Sequence, residues 1–188
     1  LTIILKRNDP SAVAKQVSLT ELGSIKINKE ERSKMLKAIP RNSVIGFLIG
    51  VLPGAGATIA SFLAYGMERN FVSDEEKEKF GKGSVHGLTA PETANNAACS
   101  GAFVPLLTLG IPGSGTTAVM LGALLGFGIQ PGPRLYITNP EIFWSVIMSM
   151  YIGMVVLLIL NLPLIPYIAR ILAVPKNYLI PLILFFSI

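Results

Sequence analysis

Apolar and polar positions fall in long blocks along this chain. Leu1 to Leu5 are apolar but for Thr2 and run straight into Lys6 and Arg7; residues 6–42 are polar, and within them residues 21–37 are predicted to form a short, solvated surface helix. An apolar run over residues 43–66 follows. It is long enough to cross a bilayer, which takes about 20 residues, but Pro53-Gly54-Ala55-Gly56 sits in its middle. Proline removes a backbone donor and clashes with the preceding turn, and glycine is a poor helix residue. The run is therefore predicted to break into two pieces of roughly 15–18 Å, each about half the hydrocarbon thickness.

Residues 67–82 read as a charged loop, with a short helix after Ser73, whose side chain is placed to cap the acidic turn Asp74, Glu75, Glu76. Residues 83–92 read as a small-residue linker, 93–111 as a second apolar run, and 114–128 as a third, ended by Pro131-Gly132-Pro133. Residues 142–162 form an uncharged membrane helix; 164–174 read as a short helix or hairpin, and Tyr178 begins another span. Both ends of the chain read as cuts through helices.

Charge sharpens this picture. Only 14% of the residues are charged and 51% are hydrophobic, whereas soluble domains carry roughly 25% charged residues. Beyond residue 82 the charges are Glu92, Arg134, Glu141, Arg170 and Lys176, too few to clothe a soluble core. The formal net charge is +5, and residues 1–42, with nine Lys/Arg against four Asp/Glu, account for it. A basic stretch without interleaved aromatic residues does not suit nucleic acid; it suits a cytoplasmic loop under the positive-inside rule. The lone Cys99 excludes a disulfide framework within the chain.

The candidate chemistry lies in a repeat. Leu52-Pro53-Gly54-Ala55-Gly56-Ala57-Thr58 recurs, 59 residues on, as Ile111-Pro112-Gly113-Ser114-Gly115-Thr116-Thr117. Lipid cannot satisfy freed backbone groups, so two such breaks in apolar runs belong inside protein or beside water. Secondary transporters build midplane sites from paired broken helices. A half-helix restarting after each Pro-Gly presents unpaired amides and the positive end of its dipole, which is an anion site. Gly56 and Gly115 let an anion approach the backbone, and Thr58, Ser114, Thr116 and Thr117 add hydroxyls. The substrate-binding expectation therefore covers Pro53, Gly54, Ala55, Gly56 and Thr58 with Pro112, Gly113, Ser114, Gly115, Thr116 and Thr117.

Between the copies, Glu92 is followed by Asn95 and Asn96 at helical spacing. A carboxylate in or beside a membrane segment is costly and usually functional, and one carboxylate with two amides can hold Na+, pass a proton or bind substrate. The structural alternative is a helix start at Pro91, with Glu92 beside the positive end of the dipole. His86, the only histidine, reads as a solvated linker residue rather than a proton relay. Gly81-Lys82-Gly83-Ser84 departs from the phosphate-loop pattern at Glu76 and Gly83. Gly122 and Gly126 form a GxxxG-like pair suited to helix packing. No Ser/His or paired-carboxylate constellation points to a catalytic residue or an organic cofactor.

Four motifs in order, Gly50 to Ala57 within residues 46–65, Ala90-Pro91-Glu92-Thr93-Ala94-Asn95-Asn96-Ala97-Ala98, Pro105 to Ser114, and Gln130-Pro131-Gly132-Pro133, resemble the TctA family, the large membrane subunit of tripartite tricarboxylate transporters. The resemblance covers residues 42–135 and implies an internal segment of a longer protein. It implies a multi-pass permease of the bacterial inner membrane, working with a small membrane subunit and a periplasmic solute-binding protein. That protein would deliver a carboxylate such as citrate for uptake driven by an ion gradient, Na+ or H+. At His86 the family pattern leads one to expect an acid, so no role is carried onto it.

Together these readings describe an all-α membrane protein, a polytopic bundle with paired broken or re-entrant helices. Residues 1–42 form a basic cytoplasmic loop after a truncated helix, 43–135 a transport core, and 136–188 transmembrane helices, the last truncated. An uncoupled channel or exporter for organic anions is the alternative function.

Overall fold

The computed structural model describes residues 27–169; they form helices and contain no strand. The chain divides into two units, residues 27–151 and a second that includes residues 152–169. The expectations for residues 1–26 and 170–188, among them the span from Tyr178, lie outside the described residues.

The first unit is built on three helices, α1 (Lys29–Val51), α2 (Gly56–Glu68) and α4 (Val85–Gly101), with a short α3 (Asp74–Lys77) between the last two. α1 starts well before the apolar run. Asn28 and Glu31 form a capping box at its N-terminus, and it continues through Pro40 into the apolar residues without a break at residue 42. The basic stretch is thus helical from Lys29. α4 likewise replaces the expected linker. Ser84 accepts a hydrogen bond from the Gly87 amide at 3.0 Å and starts the helix there, so Pro91 and Glu92 lie in its interior. At Pro91, whose ring interrupts the ladder, the Ser61 hydroxyl of α2 donates to the proline carbonyl at 3.2 Å.

These three helices meet through side chains repeating every fourth residue. α1 buries Ala38, Asn42, Gly46 and Gly50; α2 buries Ala60, Ala64 and Glu68; α4 buries Ala90, Ala94 and Ala98 among others. Residues four apart share a helix face, so each stripe is continuous. The contact between α1 and α4 is backbone on backbone: a Cβ on Gly46 would collide with the Ala94 carbonyl, one on Gly50 with the Ala98 carbonyl, and one on Gly101 with the Phe47 carbonyl. This is the small-residue packing by which helices associate where apolar burial offers little discrimination. At one end the stripes turn polar, in Asn42, Glu68 and His86.

α5 (Phe103–Leu109) follows α4 after Ala102 and stops at Gly110, which takes the left-handed conformation at φ 72°. α6 (Gly115–Gly126), a short α7 (Leu135–Thr138) and α8 (Pro140–Ala169) complete the described chain. The Pro131-Gly132 corner docks on α5, the Gly132 amide donating to the Leu107 carbonyl at 3.2 Å. The described residues contain one helix long and apolar enough to cross a membrane, over Pro140–Ile165, with mean hydropathy 2.4. It runs past residue 162, so 164–169 continue the helix and form no hairpin. The first half of α1 is charged, and α2 and α6, at 13 and 12 residues, rise only roughly 18–20 Å against a hydrocarbon thickness of ~30 Å. α3 begins after Ser73 as expected, although the Ser73 side chain makes no capping bond.

Gly122 and Gly126 are not packing residues among those described, since a Cβ on either would meet nothing within 4 Å. The glycines that pack α1 against α4 are Gly46, Gly50 and Gly101. Gly50→Ala is therefore expected to destabilise the protein by about 1–3 kcal/mol through overpacking. Gly122→Ala should be neutral or stabilise by about 0.5–1 kcal/mol through helix propensity. Thermal unfolding of the two purified variants checks this; equal effects would remove the packing argument.

Candidate functional site

Both Pro-Gly motifs break their helices. α1 ends at Val51 and α2 restarts at Gly56; α5 ends at Leu109 and α6 restarts at Gly115. The intervening residues form two corners, and both open on one cavity of ≈ 710 Å³. Gly54, Gly56, Ala57 and Thr58 contribute from the first corner, residues 112–118 from the second, and Cys99 and Phe103 from α4 and α5. The second corner reaches the end of α1, since a Cβ on the buried Gly113 would lie 3.2 Å from the Ala102 Cβ and 3.6 Å from the Gly50 carbonyl oxygen. The N-termini of α2 and α6 are thus brought to a common space. Pro53 and Ala55 do not line it.

The two copies of the motif fold differently. In the first, Gly54 and Gly56 take φ values of 82° and 68°, a region that side chains disfavour. Ala55 stands at the N-cap, where it has no oxygen to offer the first amides of α2. In the second copy neither Gly113 nor Gly115 has positive φ. Here Ser114 caps α6: its hydroxyl accepts from the Thr117 amide at 3.3 Å, and the Thr117 hydroxyl accepts from the Ser114 amide at 2.8 Å. Thr117 is 2% exposed, and its hydroxyl also donates to the Ser114 carbonyl. The second corner therefore spends Ser114 and Thr117 on its own backbone, whereas no side chain caps the first amides of α2. Thr58 and Thr116 are exposed.

Glu92, Asn95 and Asn96 do not converge. Asn95 points to α2, its amide donating to the Ser61 hydroxyl at 3.3 Å, while Asn96 donates to the Glu92 carbonyl on its own helix at 2.9 Å. Glu92 and Asn96 are exposed. Glu92 lies seven residues into α4, so a role in starting that helix is excluded. None of the three lines the cavity. Glu92, Asn96, Cys99 and Phe103, however, recur at i, i+4, i+7 and i+11 and so share a helical face, whose last two members are cavity wall. Cys99 and Phe103 were absent from the expected site, although this spacing from Glu92 was available to show them.

His86 is the second correction. It is 8% exposed, not solvated, and its Nδ1 lies 2.7 Å from Glu68 Oε1. Glu68, whose side chain is wholly buried, also accepts from Arg41 through Nε at 3.0 Å and a second guanidinium nitrogen, and from Asn42 Nδ2 at 2.7 Å. Arg41 in turn lies over the Phe71 ring, 4.3 Å from its centroid. Glu68 stands two residues beyond the apolar run. Burial pushes its carboxyl up, but the hydrogen bonds from Arg41, Asn42 and His86 outweigh burial and hold it below the usual range. No local pattern announces this cluster, since Arg41, Asn42 and His86 lie 27, 26 and 18 residues from Glu68 along the chain.

Comparison with known proteins agrees with the motifs. Residues 2–188 match the sequence profile of the Tripartite tricarboxylate transporter TctA family. The chain is 39% identical over 181 residues to an uncharacterized 52.8 kDa protein in the TAR-I ttuC' 3' region of Agrobacterium vitis, covering 96% of this chain and 36% of that protein. It is 45% identical over 142 residues to an uncharacterized protein in the TAR-II ttuC' 3' region of the same organism, covering 76% of this chain and 58% of that protein. The chain thus spans between a third and three-fifths of these relatives. No solved structure matches it.

Ser114→Ala removes the cap of α6 and is expected to cost about 0.5–2 kcal/mol. Hydrogen exchange at the Thr117 amide should accelerate; an unchanged rate would mean that the cap bond contributes nothing.

Proposed function

Because the chain belongs to the tripartite tricarboxylate transporter TctA family, we propose that it forms the part of the membrane subunit that holds an organic carboxylate during ion-coupled uptake across the bacterial inner membrane. The observation that carries this reading is the single cavity shared by the two Pro-Gly corners. A carboxylate there meets the leading amides of α2 and α6, the positive ends of two dipoles, and the hydroxyls of Thr58 and Thr116. Gly54 and Gly56 keep the backbone bare, so the carboxylate oxygens can reach the amides. The wall offered by Phe103 is apolar and suits the carbon skeleton of such a substrate.

Glu92 and Asn96 continue the face of α4 away from the cavity, Glu92 standing roughly 10 Å from Cys99 along the axis at 1.5 Å per residue. In this reading Glu92, with Asn96 beside it, attracts the coupling cation, Na+ or H+, to that face, while Asn95 is turned to α2. Alternating access then moves α2 and α6 relative to each other and exposes the cavity to each side in turn. A periplasmic solute-binding protein delivers the substrate, and a small membrane subunit completes the assembly.

Cys99 makes the site testable. In the full-length protein reconstituted with its partners, a maleimide that labels Cys99 is expected to abolish carboxylate uptake. A transported carboxylate, but not its amide analogue, should slow the labelling at saturating concentration, while Cys99→Ser should remain active and insensitive. Labelling that leaves uptake intact, or that no carboxylate slows, would place the substrate elsewhere.

A further inference from the structure

The cavity leaves one buried titratable cluster unused, Arg41 and Asn42 of α1, Glu68 of α2 and His86 of α4. We propose that His86, held by Glu68, is a proton-binding site of the transport core, separate from the substrate cavity and from the Glu92 face.

The geometry assigns the tautomer. Glu68 accepts from Arg41 and Asn42 and lies 2.7 Å from His86 Nδ1. An ionised carboxylate only accepts, so the imidazole must donate to it from Nδ1. In the neutral ring Nε2 then carries the free lone pair. The His86 side chain is 10% exposed, which leaves it open to a proton from water. Proton uptake at Nε2 changes the cluster from neutral, Arg41 against Glu68, to a net single positive charge, with the carboxylate between imidazolium and guanidinium. Imidazole is the side chain whose charge changes in the physiological range.

The charged groups facing the ring are Glu68 from α2 and, through it, Arg41 from α1; α5 contributes no titratable residue. Glu76 of α3 pairs instead with Lys34 and Lys79. Asn42 is fully buried, its Nδ2 bonds both the Ala38 carbonyl and Glu68, and its Oδ1 has no partner, alone among buried side-chain polar atoms of the described residues. Both Nδ2 bonds would be lost if the amide were turned over, so the orphan acceptor is fixed.

The site has mechanical reach. From this cluster α1 and α2 run to the first corner, and α4 runs to Cys99, distances of roughly 14–20 Å at 1.5 Å per residue. A proton on His86 strengthens the bond between α2 and α4 at this end, and the rigid stripe carries any shift to the cavity. A ligand shifts an equilibrium only by its differential affinity for the two states, and the imidazolium–carboxylate contact supplies it. This consequence for uptake rests on the transporter reading; the proton site itself does not.

The test uses the purified full-length protein in two measurements. In infrared difference spectra between about pH 5 and 8, wild type should show imidazole and imidazolium bands that His86→Asn lacks, and Glu68→Gln should alter them. His86→Gln serves if the Asn variant does not fold, as judged by circular dichroism. In proteoliposomes with the partner subunits, a pH gradient should change wild-type carboxylate uptake by up to roughly tenfold per pH unit, and the His86 variants should flatten this profile. Difference spectra identical in wild type and the His86 variants would overturn the proton site. Lost bands with an unchanged uptake profile would overturn its link to transport. Absence of carboxylate uptake by wild type would instead count against the transporter reading, with the infrared result still deciding the site.

Discussion

Everything in the first unit depends on the backbone contact between α1 and α4. Gly46, Gly50 and Gly101 have no side chains because carbonyls of the facing helix occupy that space. Contact this close leaves no room for side chains to repack, so the two helices have one register. α2 then lays Ala60 and Ala64 on α4. The two ends of this three-helix unit are chemically different. One carries the buried charges of Arg41, Glu68 and His86. The other carries the two Pro-Gly corners and the cavity.

The corners show how similar sequences reach different structures when their surroundings differ. Both contain Pro-Gly-x-Gly followed by a small residue and threonine. Serine in the second copy can cap the new helix and alanine in the first cannot, so one hydroxyl takes up the Thr117 amide of α6 while no side chain caps α2. The first corner also needs two glycines at positive φ. An uncapped helix start leaves its first amides without an intrahelical or side-chain acceptor, and glycine takes the left-handed turn beside it without a steric penalty.

Much of this was legible in the sequence because the relevant signals are local. Proline and glycine act on their own backbone, so the breaks at Pro53 and Pro112 could be placed, as could the membrane-length helix near residues 142–162. What was not legible came from residues distant in sequence. His86 looks like a linker residue until Glu68, 18 residues earlier, is seen against it. Gly122 and Gly126 have the spacing of a packing motif and no partner among the described residues, while Gly46 and Gly50 have the same spacing and find Ala94 and Ala98. Spacing defines a face; which face is covered is decided by the fold. Glu92, Asn95 and Asn96 illustrate the converse, since helical proximity put them near one another and hydrogen bonding turned Asn95 away.

In the proposed site one carboxylate lies between the amides of α2 and α6. Magnetic resonance of full-length protein labelled with 15N-glycine tests it most directly. Titration with a transported carboxylate should move the amide signals of Gly56 and Gly115 together, along one binding curve. Movement of neither signal, or of the two along different curves, would contradict a shared site.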